Sequence, residues 1–209
     1  MARNLEASCK QCRREMTPLM LKGQRCLTDK CALKRKKNPP GPPKKRRAKP
    51  SEYGIQLREK QKLKNSYGLL ERQFRRIFEE ASRMRGVTGD NMLSLLERRL
   101  DNIIYRTGFA SSRKQARQFI NHRHIVVNNN IVDIPSYRVD INSVIQVRES
   151  FKDNVMLDDS IKLSKAISSI PEWVEVDFEK KQTKILRLPE RHDVEDIYKE
   201  RLVVELYSK

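Results

Sequence analysis

From Tyr53 to Met84 the chain contains no proline, and Leu57, Leu63 (with Gln61 before it), Tyr67, Leu70, Phe74, Ile77, Phe78 and Ala81 return every three or four residues with charges between them. That spacing predicts two or three amphipathic helices with a break near Gly68. Gly86-Val87-Thr88-Gly89 interrupts the pattern and marks a domain boundary. Behind Asp90, a good N-capping residue, Met92, Leu93, Leu96, Leu100, Ile103 and Ile104 share one face, so a single helix is expected from Met92 to Arg106, ending at Gly108. Its polar face offers Arg98, Arg99, Asn102 and Arg106. A second helix opens at Ser112, with Gln115 as a capping-box partner, and turns Ala116, Phe119 and Ile120 inward. After His124 the period becomes two: Ile125 to Val127, a turn at Asn128-Asn129-Asn130, Ile131-Val132, Tyr137 and Val139, a turn at Asn142-Ser143, and Val144 to Arg148 read as short antiparallel strands.

Further on, Ser160 to Ile170 is helically spaced and Pro171 stops it. Val174, Val176 and Phe178, then Lys180 to Thr183, then Ile185, Leu186 and Leu188 predict a hairpin; Trp173 reads as core or hairpin packing, with a stacking role as the alternative.

Charge sharpens this picture. The 209 residues carry 45 Lys+Arg against 27 Asp+Glu, a formal charge of +18, while only 37% are hydrophobic, so a large single core is not expected. No run approaches the roughly 18 apolar residues that span a bilayer, and the opening residues lack the apolar stretch of a secretory signal, so neither export nor membrane spanning is predicted. Beyond residue 148 there are 11 basic and 14 acidic residues, a net of −3, which leaves +21 for the first 148. A basic chain of this kind neutralises a polyanion; nucleic acid comes first, an anionic membrane surface second. The densest stretch, residues 34–50, has Lys34-Arg35-Lys36-Lys37 and Lys44-Lys45-Arg46-Arg47 flanking a segment of four prolines and a glycine. It reads as an extended basic arm that orders along phosphates or, alternatively, as a solvated spacer.

All four cysteines fall within the first 31 residues, as Cys9-x2-Cys12, thirteen residues, and Cys26-x4-Cys31. Two close pairs at this separation suit four thiolates converging on one structural zinc; an iron–sulfur cluster, and disulfides or free thiols, are the alternatives. Four protein ligands leave no open position for a substrate, which argues for structure over catalysis. Arg13, Arg14, Lys22, Arg25 and Lys30 would surround such a knuckle. On the second predicted helix, Arg113 and Arg117 are four apart and share a face, and Arg113 and Lys114 stand at a helix N-terminus where phosphate is attracted. The plainer readings are that Arg98 and Arg99 form a solvated face paired with Glu97 and Asp101, and that His122 and His124 cap a helix end.

Leu96-Glu97-Arg98-Arg99-Leu100-Asp101-Asn102, Tyr105-Arg106-x-Gly108-Phe109-Ala110, Ser112-Arg113-x-x-Ala116-Arg117-Gln118, Asn121-His122-x-His124-Ile125-x-Val127-Asn128 and Ile134-Pro135-Ser136 together resemble the RNA-binding module named after ribosomal protein S-four of the small subunit. The cysteine spacing, the helical stretch and the ending Leu202 to Lys209 extend the resemblance to the bacterial-type family over essentially the whole chain. Arg123, Asn129 and Asn142-Ser143 depart from it, since the family usually has glycine or Gly-Asp there. Asparagine tolerates a left-handed turn, whereas arginine at position 123 is the larger change.

The resemblance implies an α+β protein. Residues 1–33 would form a zinc knuckle, 34–50 the basic arm, 51–90 with 190–209 a helical domain, and 91–189 an inserted module of two helices, a small antiparallel sheet and the hairpin. It implies a cytoplasmic constituent of the ribosome that binds small-subunit rRNA early in assembly, at a junction of several RNA helices in the five-prime domain. Neighbouring small-subunit proteins and mRNA, on the side where the message enters, would be further partners; decoding accuracy and repression of its own message would be further roles. No membrane and no small-molecule substrate are expected. Arg98, Arg99, Arg106, Arg113, Lys114 and Arg117 are expected on phosphates, Asn121, His122 and His124 at the RNA surface, and Arg46, Arg47 and Tyr53 as further contacts.

Three rivals compete: an RNA-modifying enzyme using the same module, a zinc-dependent reader of DNA, and an RNA-binding factor outside the ribosome. The enzyme lacks any phosphate-binding glycine loop or nucleophile grouping, so no catalysis is expected. The DNA reader lacks a recognition helix after the cysteines.

Overall fold

The computed structural model describes residues 4–36, 38–42, 49–167 and 170–208. Its helices run in order α1 (Ser8–Glu15), α2 (Ala32–Arg35), α3 (Glu52–Ser66), α4 (Glu71–Arg83), α5 (Thr88–Glu97), α6 (Leu100–Arg106), α7 (Arg113–Asn121), α8 (Val155–Ile167) and α9 (Glu200–Tyr207). The strands are β1 (Ile125–Val127), β2 (Asn130–Ile131), β3 (Val144–Val147), β4 (Val174–Asp177) and β5 (Gln182–Ile185). Two compact units divide the chain, residues 1–92 with 195–209 and residues 93–194, the boundary falling within α5.

In the first unit, α3 starts behind Ser51, whose side chain accepts the Gly54 N–H at 3.2 Å. It ends where Gly68 takes φ +65°, a left-handed value open to glycine. α4 buries Phe74, Ile77 and Ala81, the three- and four-residue stripe of the sequence. The terminal helix α9 returns to pack on α3, with Tyr198 Oη donating to Ser66 Oγ at 2.8 Å and Gln56 Nε2 donating to Glu205 at 3.1 Å. Its Tyr207 ring stacks on Phe78 with centroids 4.5 Å apart. Burial and the neighbouring Glu71 carboxylate raise the Tyr207 hydroxyl above its ordinary pKa.

The second unit is built on a five-stranded antiparallel sheet in the order β2-β1-β3-β5-β4, so the hairpin β4–β5 extends the sheet through β3. Its core gathers Leu100, Ile104, Phe109, Phe119, Ile145 and the fully buried Trp173. Gly108, at φ +81°, ends α6 so close to α8 that a Cβ there would lie 2.1 Å from Ser164 Oγ. The turn after β1 holds Asn128 at φ 48° and Asn129 at φ 65°, and Asn142 has φ 62°, so the asparagines take the left-handed conformations that glycine takes most easily.

Two helix boundaries differ from expectation. The helix predicted from Met92 to Arg106 begins earlier, at Thr88, and is two helices, because Arg99 is extended (φ −69°, ψ 136°). The backbone groups freed at the break pair with the loop before β3: Leu100 N–H donates to Tyr137 O at 2.9 Å, Asp101 N–H to Pro135 O at 3.0 Å and Val139 N–H to Arg98 O at 3.0 Å. Tyr137 and Val139 therefore belong to no named strand, although Arg138 makes an isolated bridge to Arg99. α8 likewise starts at Val155, five residues before the helical spacing is clear at Ser160.

Candidate nucleic-acid interface

Of the six cations expected on phosphates in the second unit, three are buried: Arg99 is 5% exposed, Arg113 7% and Arg117 7%. Two buried carboxylates organise them. Asp101 accepts from Arg99 Nε at 3.1 Å, Arg99 Nη2 at 2.8 Å and Arg117 Nη1 at 2.8 Å. Glu97 accepts from Arg106 Nε at 3.2 Å, Arg106 Nη2 at 3.0 Å and Asn102 Nδ2 at 2.7 Å. Asn102 Oδ1 in turn accepts from Arg113 Nε at 2.8 Å, and the Arg113 guanidinium lies 4.5 Å from the Tyr105 ring centroid. Arg99, Arg106, Arg113 and Arg117, expected on phosphates, are thus held by Asp101, Glu97 and Asn102. On α7, Arg113 and Arg117 border the apolar stripe of Ala116, Phe119 and Ile120, and Asn102 and Asp101 on α6 draw them inward. Arg98 is half-buried, donating to Val139 O at 3.2 Å and pairing with the exposed Asp140.

The opposite side of α7 is open. Lys114, Gln118, Asn121 and His122 are exposed at steps of four, three and one residues and form a single face. Beyond it, Arg123 takes φ 62°, with its N–H bonded to Ile120 O at 2.9 Å and the His124 N–H to Phe119 O at 3.0 Å. This is the double bond of a Schellman cap, the position where the family usually carries glycine. The cap sets His124 flat on Phe151, centroids 3.9 Å and planes 7° apart, with His122 at 5.9 Å. Burial, then the neighbouring His122 and Arg148, lowers the His124 pKa. Arg148 is exposed beside it, a cation that the alternating strand pattern concealed.

In the first unit, α4 exposes Arg72, Arg76 and Arg83 opposite its apolar stripe, and the reading of the sequence passed them over. The spacing that locates Phe74, Ile77 and Ala81 also puts these three arginines together on the other side. Tyr53, at the start of α3, is 60% exposed. Arg46 and Arg47 lie outside the described residues.

Cys9, Cys12, Cys26 and Cys31 are free thiols that line one cavity of about 20 Å³, room for roughly one water-sized sphere. The Lys22 N–H donates to Cys26 Sγ at 3.3 Å, and the Leu19 backbone donates to Cys12. Burial raises both of these thiols. Among the described residues no group of three or more His, Cys, Asp or Glu side chains is arranged to hold a metal ion, although the four thiols border the same cavity. No disulfide joins them. Of the five cations expected around it, Arg14, Lys22, Arg25 and Lys30 are exposed, whereas Arg13 turns to the arm and donates to Asn38 O at 2.9 Å and Pro39 O at 3.2 Å. Among the described residues no helix is long and apolar enough to cross a membrane.

A helical unit with exposed arginines, joined to a sheet unit that presents a helix and its histidine cap, defines a two-part nucleic-acid-binding class of protein. The sequence agrees: residues 3–97 match the family described as "Ribosomal protein S4/S9 N-terminal domain", and residues 98–145 match the "S4 domain". Over 209 residues and the full length of both chains, the protein is 50% identical to the small ribosomal subunit protein uS4 of Halothermothrix orenii and 52% identical to that of Pelobacter propionicus. It is 51% identical over the same span to its counterpart in Caldicellulosiruptor saccharolyticus. The chain belongs to the family of small ribosomal subunit protein uS4.

Proposed function

We propose that the chain is a structural, non-catalytic constituent of the small ribosomal subunit in the cytoplasm, and that it binds the subunit's rRNA early in assembly. The observation that carries this reading is the pair of exposed faces, Arg72, Arg76 and Arg83 on α4 and Lys114, Gln118, Asn121 and His122 on α7, each outside its unit's core. Cations on a rigid helix meet phosphates by releasing counterions, and amide and imidazole groups beside them suit bases and riboses. Arg98, Arg123, His124, Arg148 and Tyr53 are further contacts in this reading, as are Arg46 and Arg47. Neighbouring small-subunit proteins, mRNA on the side where it enters, decoding accuracy and autogenous repression belong to the same reading, as does the four-part division of the chain.

The test is competition binding of the full chain to a small-subunit rRNA junction fragment against duplex DNA of equal length, over a range of salt. Preference for the rRNA with a steep salt slope is expected; preference for DNA overturns the proposal.

The cysteines belong to the same reading as a structural zinc site. Four thiol donors share a cavity of about one ion's size, and two of them already accept backbone N–H bonds, which stabilise thiolates. Bound there, the ion would cross-link α1 to the turn that leads into α2. Metal analysis of the full chain should find one zinc per chain, with chelation lowering the unfolding midpoint; a metal-free chain with an unchanged midpoint sinks this part.

A further inference from the structure

Beside the cysteine segment, and separate from its cavity, a cleft of about 450 Å³ opens within the first unit, walled by α1, Pro40 and α3. Its volume falls in the range of sites that hold a small organic ligand. The α3 wall supplies Arg58, Gln61 and Asn65, three and four residues apart and so on one face. The α1 wall supplies Lys10 and Arg14, four apart and exposed, and Glu15. Among the described residues neither the Lys10 nor the Arg14 side chain makes a hydrogen bond or ion pair, and the Gln61 side-chain amide makes no hydrogen bond. The Glu15 side chain is 1% exposed; Arg58 Nη1 holds its Oε1 at 3.1 Å, while Oε2 is buried without a partner. A buried carboxylate oxygen left bare is destabilising, so the wall of this cleft lacks a donor.

We propose that the cleft binds one unstacked guanine nucleotide. Guanine alone among the bases offers two adjacent N–H donors and a carbonyl acceptor on its Watson–Crick edge. The donors meet Glu15, whose carboxylate Arg58 fixes, and the carbonyl meets the Gln61 amide. Lys10 and Arg14 stand on the neighbouring face for the phosphate, and adenine would present a lone pair where the carboxylate needs a proton. The proposal rests on the RNA-binding function above where the nucleotide belongs to a strand; a free mononucleotide offers the same chemistry.

The experiment uses the full chain with two RNA hairpins that differ only in one bulged nucleotide, G or A, followed by fluorescence anisotropy, and with GMP and AMP in parallel. A preference of about tenfold for guanine is expected. Gln61→Ala and Glu15→Gln should each reduce it to about twofold or less. Gln61→Ala keeps the unfolding midpoint, since no hydrogen bond is lost, and so separates recognition from folding. Preference among the hairpins alone assigns the nucleotide to an RNA strand, and preference among the mononucleotides assigns it to a free ligand; both support the proposal. Tight but equal binding of both hairpins, with no preference between GMP and AMP, overturns it and leaves the RNA-binding function standing, as does a preference that survives both substitutions. Failure to bind any RNA counts against that function instead, and the mononucleotides then decide the cleft.

Discussion

Helices α4 and α7 are both short, both rich in arginine and both carry a clean apolar stripe, yet they use their cations in opposite ways. On α4, Arg72, Arg76 and Arg83 face outward. On α7, Arg113 and Arg117 are buried against Asn102 and Asp101, and the exposed face is left to Lys114, Gln118, Asn121 and His122. The arginine content of a helix therefore says little about nucleic acid until the acids on neighbouring elements are known. Buried arginine is tolerated only where carboxylates and amides receive its fork, and in the second unit Asp101 and Asn102 do so.

The sharpest way to break this comparison is to remove an acid from the buried set. Asp101→Ala leaves Arg99 and Arg117 without their shared partner and should destabilise the second unit by about 3–5 kcal/mol, read by urea unfolding. A loss below about 1 kcal/mol would mean that these arginines reach solvent and are free for RNA. Next in size is the exchange of α4 for α7. Replacing Arg72, Arg76 and Arg83 together with alanine should lower the salt slope of rRNA binding by about 2–3 units with little change in unfolding. Arg117→Ala should do the reverse, weakening the fold and leaving the slope unchanged for folded protein.

Acidification sharpens the histidine cap. Because the folded His124 pKa lies below its ordinary value of 6.5, the unfolded chain takes up this proton first as pH falls. His124 thus contributes stability that is present above about pH 6.5 and lost as the pH drops below it. The unfolding midpoint should fall between pH 7 and pH 5, and His124→Phe should flatten that part of the fall; equal slopes in both proteins would remove the histidine from the account. The smallest effect belongs to Arg123. Substituting glycine relieves the left-handed backbone but removes the exposed ion pair to Asp133 at 3.2 Å, so a net gain of about 0.5–1 kcal/mol is expected from thermal unfolding.

Much of the fold was legible locally. The stripe of Phe74, Ile77 and Ala81, the break at Gly68, the Ser112 cap and the alternation through Ile125 to Val127 all express contacts within a few residues, and each is found. Even there a detail moves: Gln115 turns back to the N–H and hydroxyl of Ser111, both at 2.7 Å, rather than to Ser112. The break at Arg99 was not legible, because it depends on carbonyls of Pro135 and Tyr137 that lie over 30 residues along the chain. For the candidate interface, residue types and region could be read, but not which side of α7 faces outward, since Arg113 and Arg117 lie at the margin of the apolar stripe and the distant Asn102 and Asp101 tip them.

By itself the sequence determined the family, the excess of positive charge in the first 148 residues, the helical and strand periods, and the pairing of four cysteines near the start. These are properties of composition and short-range spacing, which hydrophobic burial and backbone geometry translate directly into elements. Only the tertiary structure decided which arginines pair with buried groups and which stand exposed, that the four thiols share a cavity, and that α1 and α3 enclose a polar cleft holding Glu15. Each of those outcomes depends on what stands opposite a side chain once distant segments meet. In a low-dielectric interior a single carboxylate such as Asp101 outweighs a cation's preference for water.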